Sequence, residues 1–98
     1  MVLSLDRLTS VIASLLRKYH AQKAILFGSY ARREADEHSD IDLLVIGGAS
    51  FRPTDIFALA EELHLNTGKA VDVYELREVD QNSAFYHTIL REGLSVAA

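Results

Sequence analysis

The stretch from Phe27 to Ile46 constrains this 98-residue chain more than any other. It reads as the end of a strand, a Gly28-Ser29 turn opening a short helix, a charged loop from Glu34 to Ser39, and a second strand that starts at Asp40 and Asp42. Side chains alternate across a strand, so Asp40 and Asp42 project from one side, roughly 7 Å apart along the backbone. Two carboxylates at that spacing suit a hard cation such as Mg²⁺, which binds through one or two carboxylates together with substrate phosphates. A Gly-Ser turn running into a helix offers backbone N–H groups and a hydroxyl to an anion. One half of the stretch is therefore fit for phosphate and the other for its metal.

The remaining sequence supplies a small α/β frame for these two features. Leu5, Leu8, Val11, Ile12, Leu15, Leu16 and Tyr19 recur at three- and four-residue steps, the mark of an amphipathic helix, with Ser4 as N-cap. Lys23 to Phe27 is a short apolar strand leading into the Gly28 turn, and Asp40 to Ile46 is a second strand closed by Gly47-Gly48. On that second strand Ile41, Leu43 and Val45 form the expected core face, opposite Asp40, Asp42, Leu44 and Ile46. A helix over 54–67, with Ile56, Leu59, Ala60, Leu63 and His64 on its buried side, stops at Gly68. The alternation in Ala70-Val71-Asp72-Val73-Tyr74-Glu75 predicts a third strand with Asp72 on its polar side. A last helix over 82–92, carrying Phe85, Ile89 and Leu90, precedes a short strand over 94–96.

Composition narrows the function classes. With 49% hydrophobic and 24% charged residues the chain can bury one core, so one domain over 1–98 is expected. A net charge of −4 argues against a general phosphate-backbone binder, and nucleic acid is not an expected partner. The absence of cysteine excludes disulfides and thiolate zinc sites. The start of the chain lacks a basic segment followed by an apolar one, and no apolar run reaches the roughly 18 residues of a membrane span, so a cytoplasmic protein without a membrane partner is expected. Gly68-Lys69 lacks the other residues of a P-loop. The four histidines have no metal-binding spacing, and Phe51, Phe57, Phe85 and Tyr86 read as helix packing or loop anchoring.

Gly28-Ser29-Tyr30-Ala31-Arg32, followed by Ser39-Asp40-Ile41-Asp42-Leu43-Leu44-Val45, resembles the signature of minimal nucleotidyltransferase (MNT) domains in the DNA polymerase beta-like nucleotidyltransferase superfamily. By size and motif the chain looks like the MNT antitoxin of HEPN/MNT toxin-antitoxin pairs. That resemblance implies a single-domain nucleotidyltransferase fold with a mixed β-sheet and about three helices mainly on one face. It further implies that Gly28 and Ser29 hold the β- and γ-phosphates of ATP, that Asp40 and Asp42 ligate two Mg²⁺, and that Asp72 completes the metal near the attacking hydroxyl. Arg32 is a candidate nucleotide contact. Arg33 departs from the pattern, since many members have glycine there; for both arginines the alternative is a solvated face pairing with Glu34, Asp36 or Glu37.

The implied activity is transfer of AMP from ATP onto a hydroxyl, a tyrosine of an HEPN ribonuclease in the antitoxin case. Two alternatives are a non-catalytic module that neutralises its partner by docking, and the catalytic subunit of an aminoglycoside-like small-molecule nucleotidyltransferase. A homo- or hetero-oligomer is expected: with three helices covering the Ile41 face, Leu44 and Ile46 would leave an apolar patch beside the carboxylates, with Tyr74 nearby, for a second chain to cover.

Overall fold

A computed structural model describes residues 3–98. The chain runs α1 (Leu5–Lys18), β1 (Lys23–Phe27), α2 (Gly28–Ala31), β2 (Ile41–Ile46), α3 (Asp55–Thr67), β3 (Val71–Glu75), a 3₁₀ turn (Leu76–Glu78), α4 (Ala84–Glu92) and β4 (Leu94–Ala97). One mixed sheet has the order β3-β2-β1-β4. β1 is antiparallel to both β2 and β4, and β2 is parallel to β3. A parallel pair needs a crossover, and α3 provides it. Among the described residues no helix is long and apolar enough to cross a membrane.

Each helix begins or ends where its sequence supplies the missing hydrogen bonds. Ser4 Oγ accepts from the Arg7 N–H at 3.2 Å to start α1, and Ser83 Oγ accepts from the Tyr86 N–H at 3.1 Å to start α4. Gly68 ends α3 in the left-handed region, at φ 70°. α1 and α3 cover the face of the sheet formed by Ala24, Leu26, Ile41, Leu43 and Val45, where Leu8, Ile12, Leu16, Leu59 and Leu63 are buried. Each fully buried leucine there contributes roughly 1.5–3 kcal/mol relative to an exposed one. His64 stays out of this core: it is exposed, with Nδ1 2.7 Å from the Lys69 carbonyl oxygen.

α4 takes the opposite face. Its Ile89 packs with Ile25 and Leu44 in a second apolar cluster, with Phe27, Ile46, Leu76, Val79 and Tyr86 at the edge. This overturns the expectation that the last helix helps to cover the Ile41 face and leaves Leu44 for a partner. Leu44 is completely buried and Ile46 is half-buried. β2 is apolar on both sides beyond Asp42, and a strand of that kind needs a cover on each.

At the outer end of α1 the Glu62 carboxylate accepts from the Tyr19 hydroxyl and, at 2.7 Å, from Lys18 Nζ, linking α1 to α3. Lys18, then Tyr19, holds the Glu62 carboxyl below its usual range. A depressed carboxyl adds stability above its unfolded pKa and loses it as pH falls through the folded value. Glu62→Gln should therefore lower Tm slightly at neutral pH, and the difference should shrink as pH falls below the free carboxyl's value of about 4.3 and vanish below the lower folded one.

Candidate active site

Gly28 and Asp42 meet at the end of the sheet. The last residue of β1, Phe27, lies across from Asp42 in the antiparallel register, and Asp42 lies beside Asp72 in the parallel one. Opposed residues point to the same face, so Phe27, Asp42 and Asp72 form one row. Gly28 has φ +73°, and a Cβ there would overlap Oδ2 of Asp42. The turn needs glycine both for its backbone angle and for the approach of this carboxylate.

The turn opens a helix of four residues with no side chain capping its first N–H groups. The Arg33 N–H donates to the Tyr30 carbonyl (3.2 Å) and the Glu34 N–H to the Ser29 carbonyl (2.9 Å), a Schellman ending with Arg33 at the left-handed position, φ 60°. The departure from the family's glycine thus falls where a side chain is disfavoured. Arg33→Gly should stabilise the protein by about 0.5–1 kcal/mol, read as a shift in the urea midpoint with unchanged m-value. An unchanged midpoint would mean that the arginine's contacts offset its backbone cost.

The loop before β2 is braced from within. Asp36 Oδ1 accepts from the His38 N–H at 2.8 Å, and Ser39 Oγ accepts from the Asp36 N–H at 2.8 Å. Lys69 Nζ donates to the Glu37 carbonyl at 2.7 Å, and the Ile41 N–H to the Ala70 carbonyl at 2.9 Å. These bonds fix where Asp40 leaves the loop. The His38 side chain is exposed beside Glu37, at 3.4 Å.

The electrostatics follow from this placement. Burial, then the carboxylates of Asp72 and Asp40, push the Asp42 carboxyl above its usual range; Asp72 lies within hydrogen-bonding reach, and only Arg32 opposes the shift. Arg32 is tied at 3.0 Å to Glu34 and at 3.7 Å to Glu92 on α4. The Glu34 pairing expected from sequence is present, while Glu92, which comes from the far end of the chain, had no local signal. Arg33 is exposed. Asp40, Asp42, Asp72, Gly28, Ser29 and Arg32 therefore share one end of the fold.

Among the described residues no three His, Cys, Asp or Glu side chains converge into a ready-made metal cage. The arrangement offers a close carboxylate pair, Asp42 with Asp72, and a third carboxylate, Asp40, whose field reaches Asp42. Hard oxygen donors whose mutual repulsion a cation would relieve fit Mg²⁺, which completes its shell with water and phosphate.

The polymerase beta nucleotidyltransferase model matches residues 10–97, almost the whole chain. The protein belongs to that nucleotidyltransferase family. Among curated proteins it is similar to two from Methanocaldococcus jannaschii, both named as candidate protein adenylyltransferases. One is 39% identical over 94 residues, covering 96% of this chain and 99% of the relative. The other is 35% identical over 88 residues, covering 84% and 86%. Among solved structures it resembles a candidate minimal nucleotidyltransferase, with 31% identity, TM-score 0.76, and coverage of 92% of this chain and 90% of that one. A chain from a toxin-antitoxin structure with AMP-PNP is 26% identical with TM-score 0.76, covering 90% of this chain and 71% of that one. Tyr74 was expected near the carboxylates, but Phe27 and Phe85 beside it escaped the sequence reading, because Phe85 sits at helix spacing and nothing local ties it to Phe27.

Proposed function

We propose that this nucleotidyltransferase moves AMP from ATP onto a hydroxyl group of a protein partner, a tyrosine of an HEPN toxin, and acts as its antitoxin. The observation that carries the reading is the row Phe27, Asp42, Asp72 with Gly28 pressed against Asp42. It brings an uncapped helix start and a carboxylate pair to one point, as needed for a triphosphate whose α-phosphorus is attacked. The names of the M. jannaschii relatives favour a protein acceptor, and the toxin-antitoxin structure favours a toxin as its source.

In this reading the Gly28-Ser29 turn receives the β- and γ-phosphates through its N–H groups and the Ser29 hydroxyl. Arg32 adds a positive charge at their edge, released from Glu34 or Glu92 when phosphate arrives. Asp40, Asp42 and Asp72 would hold Mg²⁺, which when bound neutralises phosphate charge and lowers the pKa of an acceptor hydroxyl. The acceptor oxygen forms a bond to the α-phosphorus as the bond to the pyrophosphate oxygen breaks. Asp72, which is exposed, would take the acceptor's proton.

The test is incubation of the protein with Mg-ATP and its co-purified partner, followed by mass spectrometry. A gain of one AMP on a partner tyrosine is the expected result. An unmodified partner that stays inhibited by the Asp40→Asn/Asp42→Asn double variant would replace catalysis with docking.

A further inference from the structure

Three aromatic rings stand beside the carboxylate row. Phe27 lies in the row itself, across from Asp42. Tyr74 is the next residue after Asp72 on the same face of β3, level with Leu44. Phe85, in the first turn of α4, reaches both, with ring centroids 5.7 Å from Phe27 and 5.4 Å from Tyr74, while Phe27 and Tyr74 are 6.1 Å apart. Phe85 meets the other two rings edge to face, while Phe27 and Tyr74 are tilted at 40° to each other; these contacts stabilise the cluster, yet Tyr74 remains 41% exposed and Phe85 44% exposed. Large rings left this open beside a polar site, while Leu44 in the same layer is fully covered, form an accessible aromatic surface.

The position of the triad relative to Gly28 indicates which ring. Along this face of β2 the side chains run Asp40, Asp42, Leu44; Gly28 lies just beyond the end of β1, toward Asp40, and Tyr74 lies toward Leu44. A triphosphate with its β- and γ-phosphates at Gly28 and its α-phosphate at the carboxylates continues away from the turn. Its nucleoside is joined to the α-phosphorus through one ester oxygen and the sugar, so its base falls about two to four strand residues from the carboxylates, a span of roughly 7–13 Å. Tyr74, two residues along β3 from Asp72, stands at the near end of that span, with Phe85 packed against it and Phe27 behind both in the carboxylate row. We propose that Tyr74 and Phe85, seated on Phe27, are the wall against which the donor's base packs. This inference rests on the nucleotide-donor reading above and assigns the base a place that the phosphate and carboxylate residues do not. Stacking reads the flat face of a ring and not its edge, so this wall would hold ATP and GTP comparably.

Titration calorimetry of the isolated protein with Mg²⁺, without acceptor, tests it with two probes, ATP and inorganic triphosphate. Tyr74→Leu and Phe85→Leu should each weaken ATP binding about tenfold while leaving triphosphate binding unchanged, and Tyr74→Phe, which keeps the ring, should bind ATP like the unaltered protein. Equal losses for ATP and triphosphate, or no loss of ATP affinity, would overturn the wall. So would unaltered ATP binding combined with a raised KM for the acceptor, which would give the rings to the acceptor instead. If the unaltered protein bound neither probe, the donor reading itself would fail and the wall with it.

Discussion

Asp42→Asn should abolish transfer while making the metal-free protein more stable. The two effects have opposite signs because one carboxylate serves the reaction at the expense of the fold. In the folded chain Asp42 is half-buried and faces the carboxylates of Asp72 and Asp40, so its ionised form is disfavoured. An acid whose folded pKa is raised binds its proton more tightly folded than unfolded. It therefore opposes folding above that pKa, and the penalty disappears as pH falls below the unfolded value. Asparagine removes the charge at nearly constant volume. With EDTA present the variant should melt higher than the unaltered protein at neutral pH, and the gap should close below about pH 4. Turnover at saturating Mg-ATP should drop about 10³-fold or more, the equivalent of about 4 kcal/mol of lost transition-state stabilisation. Turnover within tenfold of the original would remove Asp42 from the chemistry, and a lower melt in EDTA would make it a structural residue.

Gly28→Ala should be the most damaging change outside the carboxylates. Alanine at φ +73° costs about 1–2 kcal/mol in backbone strain alone. Its Cβ would also overlap Oδ2 of Asp42, so either the carboxylate or the turn must move. The expected result is a Tm lower by about 5–15 °C and a loss of transfer of at least about 100-fold, since the turn and carboxylate are then out of register with the triphosphate. A double-mutant cycle separates the two causes. In an Asp42→Ala background the carboxylate is gone and the nearest remaining Asp42 atom, Cβ, is 3.3 Å away, so the cost of Gly28→Ala should shrink to the backbone part. An undiminished cost there would mean that the strain lies wholly in the turn and that Gly28 does not position Asp42.

The candidate site was legible in sequence wherever its residues are close along the chain. Gly28, Ser29, Asp40 and Asp42 lie within one turn-loop-strand unit, and alternation alone sets Asp40 and Asp42 on one face. Alternation placed Asp72 on the polar side of its own strand, but only the family resemblance joined it to Asp40 and Asp42. The crossover through α3 laid β3 parallel to β2 with Asp72 level with Asp42. A shift of one residue would have turned the carboxylate to the opposite face. The triad is harder still, since Phe27, Tyr74 and Phe85 come from three elements and meet only when α4 takes the second face of the sheet.

The choice of face for α4 marks the boundary between the two kinds of information. The sequence by itself determined the elements, because helix and strand periods, the Ser4 cap and the Gly68 stop act over a few residues. It also determined that the Gly28 turn and the paired aspartates lie close together. It could not determine which side of β2 received the last helix, since Ile41, Leu43 and Val45 on one side and Leu44 and Ile46 on the other are both apolar. Tertiary packing decided that by burying Ile89 against Ile25 and Leu44, while α1 and α3 already filled the other side. The physical reason is range: periodicity is a property of neighbours along the chain, whereas covering two apolar faces of one strand is a competition among elements far apart in sequence, settled by which arrangement removes more apolar surface from water.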